Sequence, residues 1–137
     1  MSMPAIFFTA SDAAAKTMHL NHTFPQDDVA ELSSVDTLKM STLWAIIDAE
    51  PWDEKLLDEF EEIYTTEEEW LYRIPVALTK KIALLDDSEL IRVSEGWAAT
   101  DEMLCEPSEA AELFRNIATV AARSTLTHRG FFLYTSL

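Results

Sequence analysis

The chain has 137 residues, 48% of them apolar, and carries 25 carboxylates against 10 lysines and arginines, a formal net charge of −15. That length and apolar fraction suit one domain with its own core and exclude a disordered chain, while the charge excludes unaided binding to nucleic acid or to an anionic membrane surface, both of which need clustered cations. A single cysteine, Cys105, excludes an internal disulfide, and two glycines leave nothing to build a glycine-rich phosphate loop.

In chain order, Pro4 to Thr9 is a short run of strand-preferring residues ended by Ser11 and Asp12, and reads as a buried strand. Residues 13–24 are ambiguous, since AAAKTMHL favours a helix and MHLNHTF alternates like a strand; Pro25 to Asp28 then forms a turn or loop. Ser33 with Asp36 offers a cap for a helix whose face is Met40, Leu43, Trp44 and Ile47, with Trp44 inside. Glu50-Pro51 opens a further helix, with Trp52, Leu56, Phe60 and Ile63 on one stripe and Glu54, Asp58 and Glu61 on another.

Thr66 with Glu69 has capping-box spacing, which predicts a short helical turn over 67–73, and Pro75 then starts a helix running to Leu85. Asp86 and Glu89 repeat the spacing and open a helix with Leu90, Ser94 and Trp97 inward and Ile91 and Ala98 beside them. The small residues Ser94 and Gly96 predict a close neighbour there. Glu106-Pro107 starts the longest helix, with Ala110, Leu113, Phe114, Ile117, Val120, Ala121 and Ser124 on its apolar stripe. Gly130 stands at its C-terminal stop, His128 and Arg129 occupy its last turn, and FFLYTSL closes the chain as a second apolar strand.

Two apolar terminal strands most simply pair with each other. The expected fold is therefore α+β (or α/β) and mostly helical: about five helices on a small sheet that includes both terminal strands, in a single domain over 1–137. No apolar run is long enough to span a membrane, and no basic-then-apolar leader begins the chain, so cytoplasm is the default compartment.

The order of a short apolar strand after Met-Ser-Met, a Leu-Trp helix in DTLKMSTLWAII, the segment IPVALTKKIALLDDSEL, and a late helix leading into an apolar terminal strand resembles the YfbM-like family of uncharacterised bacterial proteins. The resemblance implies helices around a small sheet, with no established activity. It transfers no site residues.

Chemical motifs are sparse. His19 and His22 have H-x-x-H spacing, which sets two imidazoles on one side of a helix turn, but a third metal ligand would have to come from elsewhere; two ordinary histidines are the simpler reading. Cys105 beside Glu106 and near Glu102 sits where its thiol pKa rises, which suits a structural thiol and not a nucleophile. Asp101 and Glu102 are the acidic pair nearest a core aromatic, Trp97, and also read as helix-surface residues. No Ser-His-Asp order, Walker loop, H-E-x-x-H or EF-hand spacing appears, and nothing asks for a cofactor or metal.

Charge is unevenly placed. Asp48 to Glu69 holds eleven carboxylates and one cation, Lys55, whereas Leu113 to Leu137 holds no carboxylate and has Arg115, Arg123 and Arg129. The first expectation is a non-catalytic, acidic protein-interaction module, in concrete form an inhibitor or immunity protein, whose residues Glu54, Asp58, Glu61 and Glu62 dock a basic partner; plain solvation is the simpler alternative for that face. The second is a small enzyme or ligand-binding protein with a pocket near His19, His22, Trp97 and Asp101.

Overall fold

The structure, a computed structural model, describes residues 4–21 and 28–137. Strands β1 (Pro4–Ala10), β2 (Val29–Ser33), β3 (Glu61–Thr65), β4 (Glu69–Arg73) and β5 (Gly130–Ser136) form one antiparallel sheet in the order β2-β1-β5-β4-β3. Helices α1 (Asp12–Asn21), α2 (Thr37–Ile47), α3 (Lys55–Asp58), α4 (Val76–Leu84), α5 (Asp87–Ala98) and α6 (Pro107–Thr127) complete an α+β fold.

The terminal strands do pair, with Ala5 opposite Thr135 and Ala10 opposite Gly130. Both are inner strands of the sheet, flanked on either side, and this accounts for their unbroken apolar sequence. Alternate residues of β5 face opposite layers, and both layers are covered. Phe7, Phe131 and Leu133 join the main core with Leu43, Leu78, Val93, Trp97, Phe114 and Ile117 from the helices. Phe8 and Phe132 face the other way, stacked at 5.4 Å, and are covered with Leu71 by Ala15 and Met18 of α1.

The helices over the main core form for readable reasons. Asp86 and Glu89 make a complete capping box at the start of α5. Leu90, Ser94, Trp97 and Ala98 are buried, whereas Ile91 is 45% exposed and belongs to the outer face. The Trp97 indole is 0% exposed, meets Phe114 edge-on at 6.1 Å, and donates to the Lys39 carbonyl on α2 at 3.0 Å. The close neighbour expected near Gly96 is Ile46 of α2, whose Cγ2 would lie 3.2 Å from a Cβ at that position. Helix α6 is the longest at 21 residues and buries Ala110, Phe114, Ile117, Val120, Ala121 and Ser124.

Several expectations are corrected. The predicted helix after Pro51 is reduced to the single turn of α3; its second half is strand β3, because Ile63, Tyr64 and Thr65 prefer extended backbone and find a partner in Trp70 and Leu71, while carboxylates at Glu54, Asp58 and Glu62 repel one another at helical spacing. The predicted turn over 67–73 is strand β4. Thr66 uses its hydroxyl to accept from the Glu68 and Glu69 N–H groups at 3.2 and 3.0 Å, closing a hairpin loop and not opening a helix. Ser33 ends strand β2, unforeseen from its sequence, and Asp36 alone caps α2, accepting from the Lys39 N–H at 2.9 Å. Pro75 precedes the first turn of α4 as its cap residue. The ambiguous segment resolves to α1 through Asn21, and the predicted turn from Pro25 falls mostly outside the described residues.

Candidate functional site

A cleft of about 410 Å³ opens where β4 runs into α4 and α6 runs into β5. Its floor is apolar and buried, made by Ile74 and Phe131, and Val76 adds an apolar wall. Around this floor stand Arg73, Lys80, His128 and Arg129, and no carboxylate lines the cleft. A concave apolar surface with a few convergent polar groups is the usual form of a small-molecule site. In a chain of net charge −15, a wall whose ionisable side chains are all basic needs a positional explanation.

Each cation is placed by local structure. Arg73 ends β4 beside the hairpin edge, where its Nε donates to Glu61 at 3.0 Å and its Nη2 to Asp12 at 2.6 Å, and its guanidinium lies 5.0 Å over the Phe132 ring. Burial pulls its pKa down, but the bonds and charges of Asp12 and Glu61 outweigh that and leave it above its ordinary value. With two nitrogens occupied, Nη1 is turned to the Gly130 end of the cleft, 3.0 Å from where a Cβ on residue 130 would sit. Lys80 follows one turn into α4 on its exposed face, and among the described residues neither Lys80 nor Arg129 has an ion-pair partner.

The α6–β5 junction supplies the rest. His128, not Gly130, takes the left-handed conformation that ends α6, with φ 55° and ψ 36°, so the chain turns one residue before Arg129. Gly130 is needed for space instead, since a Cβ there would fall 2.7 Å from the Phe132 ring. The Ser124 carbonyl accepts the His128 and Arg129 N–H groups and the Ser124 hydroxyl donates to the Arg129 carbonyl at 2.6 Å, which ties the turn to the last turn of α6. Helix α4 begins at the same cleft with no side-chain cap, so its positive end stays open there.

The described residues among the site candidates read from sequence lie elsewhere. Helix α1, which carries His19, packs on the opposite sheet face from Trp97, and His22 lies outside the described residues. Trp97 is sealed in the core and Asp101 is exposed beyond the end of α5, so the pocket expected among His19, His22, Trp97 and Asp101 is not assembled around the indole. Among the described residues no group of three or more His, Cys, Asp and Glu could hold a metal, and no helix is long and apolar enough to cross a membrane.

Glu54, Asp58, Glu61 and Glu62 do not share a helix face. Glu54 precedes α3 and Asp58 ends it, Glu61 is on β3 bound to Arg73, and Glu62 accepts from the Thr65 hydroxyl. Cys105 is half-buried beside Lys39, Glu109 and Leu113, and burial first, then Glu109, pushes its thiol pKa up.

Sequence reasoning misses the cleft itself, though one signal for it is present: the carboxylate-free stretch from Leu113 onward supplies His128 and Arg129. Arg73 and Lys80 come from a different part of the chain and join them only through the β4–β5 pairing and the packing of α4 against α6. Comparison of the chain with protein-family models, curated proteins and solved structures gives no match.

Proposed function

We propose that the protein is a binding protein whose cleft between α4 and the α6–β5 junction takes a small organic anion. The observation that carries this reading is the sign of the lining: Arg73, Lys80, His128 and Arg129 converge on an apolar floor with no carboxylate among them, in a strongly acidic chain. Lys80 and Arg129 are exposed and unpaired among the described residues, so a ligand meets cations that no protein carboxylate has already neutralised.

The test is a thermal-shift panel of small organic anions and their neutral isosteres. Anions should raise the melting temperature of the wild type, neutral isosteres should not, and the Lys80→Glu/Arg129→Glu double variant should lose the response while keeping its own fold. Equal responses to charged and neutral compounds, or equal responses of wild type and variant, would overturn the reading.

A second reading, docking of a basic protein by an inhibitor or immunity protein, is favoured by one observation. Strand β3 is an edge of the sheet, and Glu59, Glu62, Glu67 and Glu68 are exposed along it and its hairpin loop. Reversal of Glu59, Glu67 and Glu68 to lysine should spare the fold and abolish retention of a basic partner from native lysate, most clearly at low salt. If the wild type retains no basic protein that the variant loses, this second reading is wrong.

A further inference from the structure

The chemistry lining the cleft narrows the class of anion. We infer that its ligand is a carboxylate on a compact apolar body, an aryl or short-chain alkyl acid, with the carboxylate between Lys80 and Arg129 and the body against Val76. This rests on reading the cleft as an anion site.

Two observations favour a carboxylate over a phosphate. The first is the supply of donors. The three lining hydroxyls are committed to backbone carbonyls: Thr79 donates to Pro75 at 3.0 Å, Ser124 to Arg129 at 2.6 Å, and Thr125 to Ala121 at 3.2 Å. Two nitrogens of Arg73 are taken by Glu61 and Asp12. A phosphate monoester presents three strong acceptor oxygens and is usually met by a dense set of backbone and hydroxyl donors; here the open first turn of α4 has no free lining hydroxyl beside it, whereas a carboxylate presents two oxygens that one guanidinium and one ammonium can serve.

The second observation is the apolar wall. Ile74 and Phe131 close the bottom of the cleft and are themselves sealed from water, whereas Val76, 60% exposed, gives the wall an apolar surface that water reaches. An inorganic ion or a wholly polar anion would leave this apolar wall wet. A ring or short alkyl chain would cover it, and each methylene so removed from water favours binding by about 0.8 kcal/mol.

The experiment is calorimetric titration of the intact chain with benzoate, acetate, phenyl phosphate, inorganic phosphate and benzyl alcohol, repeated with Arg129→Gln and Lys80→Gln. Benzoate should bind at least about tenfold tighter than acetate or benzyl alcohol, and each substitution should weaken it by about tenfold. Melting curves of the two variants, whose side chains are exposed, separate loss of binding from loss of fold.

Tighter binding of phenyl phosphate or inorganic phosphate, weakened by the same substitutions, would overturn the carboxylate assignment and leave the anion site standing. Equal binding of acetate and benzoate would overturn the role of the apolar wall. If none of the four anions binds, both the inference and the reading beneath it fall.

Discussion

At the scale of single residues, the α6–β5 junction gives to His128 the helix stop that the sequence assigned to Gly130, and leaves the glycine a different role. His128 takes the positive-φ turn, and Gly130 provides room for Phe132 and Arg73. Phe132 cannot yield easily, because it is 0% exposed and held between Phe8 and the Arg73 guanidinium. Gly130→Ala is therefore predicted to destabilise the fold by about 1–3 kcal/mol through overpacking. His128→Gly should change stability by less than about 1 kcal/mol, in the stabilising direction, by relieving a left-handed conformation; urea denaturation of the two variants would show whether the signs differ. Tyr134 gives a pH test at the same scale. Burial first, and then its hydrogen bond to Glu69 at 2.5 Å, pushes its pKa up to about 12 from 10.0. A raised folded-state pKa contributes stability that is complete below 10.0 and lost as pH rises through about 12. Tyr134→Phe should flatten that alkaline loss in melting temperatures measured from pH 9 upward.

At the scale of elements, one local signature led to two structures. Thr66–Glu69 and Asp86–Glu89 have the same capping-box spacing, yet Thr66 closes the β3–β4 hairpin and Asp86 opens α5. The residues downstream of each cap decide the outcome. Pro75 limits any helix begun at Thr66 to about two turns, and Trp70, Leu71 and Tyr72 pair better with the strand formers at Ile63 to Thr65. After Asp86, twelve residues of helical periodicity bury Leu90, Val93 and Trp97. Helices α2, α4, α5 and α6 were legible because each joins a start signal to a long apolar stripe. Strand β2 was not, since Val29 to Ser33 is only five residues long with Glu31 at its middle, and owes its place to pairing with β1. The Asp86 cap can be tested by acid. The Glu89 N–H and the Ser88 hydroxyl favour its ionised form and lower its pKa below 3.8, so its contribution is present above 3.8 and lost as pH falls through the lowered value. Asp86→Asn keeps an acceptor oxygen without that titration, and its melting temperature should fall less steeply than the wild type's below about pH 4. Parallel acid slopes in the two proteins would remove the cap from the acid response.

At the scale of the whole molecule, the segregation of charge along the chain survives folding, but its meaning changes. The acidic run from Asp48 to Glu69 does not make a helix face. It borders one edge of the sheet, and through Glu61 it holds Arg73 in place at the basic cleft. The sequence could show that Leu113 to Leu137 lacks carboxylates; it could not show that Arg73 and Lys80, from a distant part of the chain, would join that segment on one surface. The resulting field has two ranges. At about 10 mM salt the Debye length is near 30 Å, so an approaching anion feels the net charge of −15 and is repelled; near 0.15 M it falls to about 8 Å, and the anion feels mainly the nearby cations of the cleft. Association of a fluorescent aryl carboxylate should therefore become faster as salt rises between these limits, the reverse of the slope expected for a basic protein approaching the acidic edge. Dissociation should also quicken, because the contacts with Lys80 and Arg129 are screened in turn. Lys80→Gln/Arg129→Gln should keep the rising association slope, which belongs to the whole molecule, and should raise the dissociation rate at every salt concentration, because it removes the local contacts. Stopped-flow traces across the salt series separate the two effects. An association rate that falls with salt in the wild type would mean that the cleft cations dominate even at long range, and would remove the two-range description of the field.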